Sequence, residues 1–138
     1  MNKKEERQAI HDKYGGKCAY CGDPLVKGWH ADHLLPVIRD WDFVLDENGE
    51  RIMCEKTYQY KKKSRMRYPE RDVFENKIPA CASCNVNKHQ MDIEGFRNLI
   101  IGFIRSLNLR STQYKLAKRY GLVQETDAKV VFYFETLS

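Results

Sequence analysis

Two Cys-x-x-Cys knuckles, "CAYC" at Cys18 to Cys21 and "CASC" at Cys81 to Cys84, constrain this chain more than any other feature. A tight turn of this kind brings two thiolates onto one ion, and a second turn completes a tetrahedral site. The doubled spacing therefore predicts a structural zinc held by Cys18, Cys21, Cys81 and Cys84. The run "GGKCAYCG" supplies the glycines that such a turn needs. The competing readings are a redox motif or four unconnected thiols. Two redox motifs in one small chain, with no βαβ pattern before either, argue against the first. Cys54 has no partner and reads as a free, partly buried thiol near a hairpin. At 138 residues the chain reads as a single domain with a modest core, of the size where a staple helps.

Between the knuckles lies "WHADHLLP", Trp29 to Pro36. Trp29 and Ala31 alternate as one face of a short strand over 29–34, with His30 and Asp32 on the other, and Pro36 ends the pairing. An Asp-His pair at a strand end can bind a metal, perform acid–base chemistry, or solvate an edge. Downstream, "NVNKH" places Asn85 at the opening of a helix, with His89 four residues on and on the same face. A strand carrying Asp32 and His33 against such a helix would converge on one divalent cation. Oxygen-rich ligands with one or two imidazoles suit Mg²⁺ or Mn²⁺, with positions left open for phosphate and water.

The remaining pattern predicts a helix near 3–14, a hairpin "WDFVLDENGERIM" turning at Asn48-Gly49, and a short strand near 76–80. A helix over "DIEGFRNLIIGFIRSL" puts Ile93, Phe96, Ile100, Phe103, Ile104 and Leu107 on one stripe. "TQYKLAKRYGL" adds a helix stopped by Gly121, and "KVVFYFETL" reads as a closing strand. No apolar run reaches membrane-spanning length, and the charged first helix does not read as a secretory signal. The reducing cytoplasm is the expected compartment. Lys and Arg exceed Asp and Glu by 24 to 19, a mild excess that favours an anionic partner such as nucleic acid.

"CAYCG", "HADHLLP", "ENKIPACASCNVNK" and "DIEGFR" together resemble the HNH endonucleases of the ββα-metal (His-Me finger) fold, in their zinc-knuckle branch. The resemblance covers roughly residues 7–97. The tail "YKLAKRYGL…KVVFYFE" is similar to the C-terminal extension of small phage-encoded HNH proteins. What the resemblance implies is an α+β fold in one domain: a ββα-metal core over 7–97 stapled by the four-cysteine zinc, with flanking helices and a C-terminal extension over 98–138 that ends in a strand. It implies a metal-dependent DNA endonuclease that hydrolyses phosphodiester bonds. By the same resemblance His33 is the general base, and Asn76 holds the loop and ring of that histidine. Asp32 and Asn85 hold the catalytic Mg²⁺ or Mn²⁺. His89 is either a further ligand or a surface histidine touching phosphate. His30 reads as a spectator, and His11 as chemically idle.

The departure from compact relatives is an insert, about residues 38–72, which separates His33 from Asn76. It gathers acids at 40–50 and then Lys56, Lys61, Lys62, Lys63, Arg65, Arg67 and Arg71 against the single acid Glu70. Tyr58, Tyr60 and Tyr68 interleave with these cations, which reads as an arm tracking DNA phosphates; the alternative is a solvated loop packed on its own acidic hairpin. Lys61, Lys62, Lys63, Arg65, Arg67 and Lys88 are the expected nucleic-acid contacts. A non-catalytic, zinc-stapled nucleic-acid-binding module is the other class. It would keep the cysteines and the basic arm, but it has no need of Asp32, His33, Asn76 and Asn85 together.

Overall fold

The computed structural model describes residues 1–137 and is a mixed α+β architecture of four helices and two small antiparallel sheets. Helix α1, Lys3–Asp12, starts with a capping box: Asn2 Oδ1 accepts from Glu5 N–H at 2.9 Å, and Glu5 Oε2 accepts from Asn2 N–H at 3.2 Å. Gly15 and Gly16 turn the chain at positive φ into the first knuckle. Strand β1, His30–His33, then pairs antiparallel with β4, Lys77–Ala80, in the register His30↔Ala80 and His33↔Lys77. Lys13 Nζ donates to the Phe74 and Lys77 carbonyls, at 2.6 and 2.5 Å, and so ties α1 to the start of β4.

The core sits where the knuckles meet this strand pair. Cys18, Ala19, Tyr20, Ile78, Ala80, Phe96 and Phe132 are buried together. Phe96 and Phe132 stack with centroids 5.3 Å apart, and Tyr20 meets them edge-on at 5.4 and 5.6 Å. Each such pair adds about 0.5–1.5 kcal/mol beyond the area it removes from water. Helix α2, Ala82–Lys88, begins inside the second knuckle, whose Cys81 is its N-cap. Helix α3, Ile93–Arg110, is capped by Asp92, and α4, Thr112–Arg119, by Ser111; Gly121 follows α4 at φ +77°. None of these helices is long and apolar enough to cross a membrane.

The insert is a second antiparallel pair, β2 (Arg39–Phe43) with β3 (Lys62–Met66). The expected pairing around Asn48-Gly49 survives only as a tip, a single Leu45↔Arg51 bridge beyond β2. The acidic strand has instead taken the basic stretch as its partner. Arg67 Nε meets Asp40 Oδ2 at 2.6 Å and Arg65 Nη1 meets Asp42 Oδ2 at 3.1 Å, so opposite charges face each other across the strands.

Two further expectations are corrected. The closing segment is not a strand: Tyr133–Thr136 is a 3₁₀ turn. The Tyr133 and Phe134 amides donate to the Tyr20 and Ala19 carbonyls of the first knuckle, and Glu135 turns back to accept from Phe132 N–H. The segment thus docks on the knuckle without extending a sheet. The predicted stripe of α3 divides as well. Phe96 is buried, with Ile93 and Ile100 packed against the core, while Phe103, Ile104 and Leu107 stay exposed because α3 runs past its edge.

Candidate functional site

The four cysteine sulfurs lie within 4.8 Å of one another, and Cys21 Sγ stands 3.8 Å from Cys81 Sγ. Tetrahedral Zn–S bonds of ~2.3 Å place sulfurs ~3.8 Å apart, so the spacing fits a structural zinc. Backbone amides already point at the sulfurs: Cys81 N–H to Cys18 Sγ at 3.3 Å and Cys84 N–H to Cys81 Sγ at 3.4 Å. The Cys84 thiol and amides of both knuckles hold the Cys18 thiol down to about 4, whereas burial pushes Cys21 up to about 11. Cys84, bonded to Cys18 and half-buried, is pushed up as well. Four thiolates cannot share this space without a cation, and a divalent ion releases the remaining protons. Among the described residues, this is the one cluster of three or more Cys, His, Asp or Glu side chains gathered closely enough to hold a metal unaided.

A second centre lies at the end of β1. Asp32, His33 and His89 line one cleft of about 140 Å³ with Pro36, Val37, Ile38, Arg39 and Gln90. His33 Nε2 is 2.8 Å from Asp72 Oδ1. The His33 N–H, with Lys77 nearby, holds the Asp72 carboxyl below the usual carboxylate range. An ionised carboxylate only accepts, so Nε2 carries the proton and Nδ1 keeps the lone pair in the neutral ring. Asn76 holds the loop after His33. Its Nδ2 donates to the Leu35 and Arg71 carbonyls and its Oδ1 accepts from Leu35 N–H, all at 2.8 Å. These bonds tie the loop after His33 to the chain just before β4. The ring, however, is held by Asp72, which no motif spacing marked in the sequence.

Asp32 is nearly dry. Tyr20 Oη donates to its Oδ2 at 2.5 Å, and Lys88 Nζ reaches the same oxygen at 3.1 Å. Burial and the adjacent Asp32 carboxylate raise the Tyr20 hydroxyl, so it remains a donor. Lys88 is 0% exposed and also donates to the His33 carbonyl at 3.0 Å. The expectation that Lys88 touches DNA phosphate is therefore corrected: a wholly buried ammonium, occupied by two acceptors, holds β1 to α2. Sequence reading placed this lysine by its nearness to the knuckle, which says nothing of which way it points.

The helix positions also shift. Asn85 lies in the middle of α2 instead of opening it, and it is not among the residues lining the cleft. His89 is the residue after the helix, at φ +52°, so it does not share the face of Asn85 by helical spacing. It reaches the rim of the cleft from a turn. His30 is exposed, and His11 bonds its neighbour Asp12 at 2.9 Å and packs against Trp29. Of the six expected nucleic-acid contacts, Lys61, Lys62 and Lys63 are exposed, while Arg65 and Arg67 lie on Asp42 and Asp40. No family model, curated protein or solved structure matches the chain.

Proposed function

We propose that the protein is a metal-dependent DNA endonuclease of the HNH type, of the kind that small phages encode. The supporting observation is the His33 ring, bonded at Nε2 to Asp72 and free at Nδ1, beside Asp32 in one cleft. Nδ1 takes the proton of an attacking water, and Asp72 steadies the imidazolium that results. Asn76 keeps the strand end rigid, so the ring does not drift from the phosphate. Asp32, through Oδ1, and His89 are the residues that would hold Mg²⁺ or Mn²⁺, with Asn85 the third donor implied by resemblance. Such ions bind through one or two protein groups plus substrate phosphate, so this sparse donor set fits them. The bound ion supplies charge stabilisation at the scissile phosphate. Lys61, Lys62 and Lys63 on the insert favour a polyanion.

A zinc-stapled nucleic-acid-binding module is the second reading. It is favoured by Lys88 and Tyr20, which already balance Asp32 Oδ2 without any ion. Supercoiled plasmid decides between the two, incubated with wild type or His33→Ala in Mg²⁺, Mn²⁺ or EDTA. The expected result is nicked or linear product from wild type with metal, and about 10²–10⁴-fold less from His33→Ala at unchanged DNA affinity. Plasmid bound but never cut, with any metal, overturns the endonuclease reading in favour of the module.

A further inference from the structure

The β2–β3 register divides the insert into two unlike faces. Asp40 and Asp42 share one with Lys63, Arg65 and Arg67, and there the two arginines pair with the two acids while Lys63 joins no ion pair. Arg39, Trp41 and Phe43 share the other with Lys62, Ser64 and Met66. On that second face cations lie on rings: Lys62 Nζ is 4.0 Å from the Trp41 centroid, and the Arg51 guanidinium is 3.9 Å from Phe43 and 5.6 Å from Tyr60. Among the described residues, none of Arg39, Arg51 and Lys62 joins an ion pair. Trp41 and Tyr60 remain 46% and 45% exposed, and no residue from 39 to 71 is buried. A ring cluster that served only to close the hairpin would bury its members against each other; this one leaves two of them half in water.

We propose that this aromatic and cationic face binds an unpaired DNA strand next to the cleft, with bases stacking on Trp41 and Tyr60 and phosphates meeting Arg39, Arg51 and Lys62. The proposal rests on the nucleic-acid reading above and adds a substrate class, DNA that carries a single-stranded flank. Arg39 lines the cleft with Asp32 and His33, so the face begins at the candidate site and runs outward along β2, about 7 Å for every two residues. Aromatic rings flanked by cations accept any base, because every base has a π-face. Bases in a duplex offer only their edges, so a stacking surface calls for unpaired ones.

The test uses the full chain without added divalent ion, so that cleavage does not intervene. Fluorescence anisotropy compares a blunt duplex with the same duplex carrying a dT10 tail, for wild type, Trp41→Ala and Trp41→Phe, each checked for zinc content and circular dichroism. The tail is expected to tighten wild-type binding about 5- to 100-fold, the effect of one well-stacked base. Trp41→Ala is expected to lose most of that gain, Trp41→Phe to keep it, and both to bind the blunt duplex as wild type does. Equal affinity of wild type for blunt and tailed duplex overturns the proposal, as does equal weakening of both by Trp41→Ala. Tighter binding to an rU10 tail overturns it in favour of RNA, and binding only to an acidic peptide probe, poly-Glu, overturns it in favour of a protein partner. Metal-dependent cutting without a tail advantage leaves the endonuclease reading standing alone, and a tail advantage without cutting leaves the stacking face standing alone.

Discussion

The Nζ of Lys88 holds Asp32 Oδ2 and the His33 carbonyl at once, so one cation fixes two adjacent positions of β1 from within α2. Lys88→Met would leave the Asp32 carboxylate with Tyr20 alone in an almost dry place. Breaking such a pair costs about 3–5 kcal/mol; urea denaturation is expected to show that loss, and a change within error would mean that Asp32 finds another partner. Asp72 acts on the neighbouring residue through a single bond to Nε2. Asp72→Ala is expected to lower cleavage about 10–100-fold while plasmid affinity stays near wild type, and Asp72→Asn, which still offers an acceptor, to lose less. Sequence could name His33 and Asp32 because neighbouring Asp and His form a local pattern. It could not name Asp72, which reaches His33 across the exit of the insert, nor show that Lys88 points inward.

At the scale of elements, the insert is a two-faced hairpin instead of a loose arm. Lys61, Lys62 and Lys63 are three consecutive exposed cations of it that join no ion pair among the described residues, so changing all three to Ala is expected to reduce the slope of log affinity against log salt by up to about 3. Replacing Asp40, Asp42, Arg65 and Arg67 together by Ser removes two negative and two positive charges and is expected to leave the slope unchanged. A triple-lysine variant with the wild-type slope would place the DNA elsewhere. The C-terminal pair α3–α4 is clamped by Glu125, which accepts from Lys118 Nζ at 2.6 Å, Tyr114 Oη at 2.8 Å and Asn108 Nδ2 at 3.0 Å. Lys118 first, then Asn108 and Tyr114, hold this carboxyl at about 2, below its ordinary 4.5. A depressed carboxyl stabilises the folded state above its unfolded value and loses that contribution as pH falls. The difference in melting temperature between wild type and Glu125→Gln is therefore expected to be full above pH 4.5 and gone below about pH 2. Knuckles, helices and the short strands were legible in the sequence because each has a local signature. The partner of the acidic strand was not, since an Asn-Gly turn promises the nearest hairpin while cross-strand charge pairing selected a farther one. The closing segment misled in the same way: its alternating apolar residues suit a strand, yet it has no strand to pair with and uses its amides on the knuckle.

For the whole molecule, the cysteine cluster joins two regions that the rest of the chain holds only through a small core. Structural zinc contributes ~10–16 kcal/mol in comparable small modules, similar to or above the ~5–15 kcal/mol net stability of a typical domain. One zinc per chain is expected by mass spectrometry. Its removal by a strong chelator is expected to abolish the cooperative melt, and Cys81→Ser to prevent folding; a zinc-free Cys81→Ser protein with a normal melt would sink the assignment. None of the four clustered cysteines lies in the insert. Arg67 N–H donates to the Ile38 carbonyl at 3.0 Å and Tyr68 N–H to the Val37 carbonyl at 3.2 Å, so the chain enters and leaves the hairpin through one rung. An appendage whose two ends already touch behaves as a cassette. The hairpin between Ile38 and Arg67 can be lengthened, exchanged for a foreign hairpin, or closed with a two-residue turn, while Asp32, His33, Asp72 and the cysteines keep their places. On the endonuclease reading, substrate choice and chemistry can then change independently in such a chain.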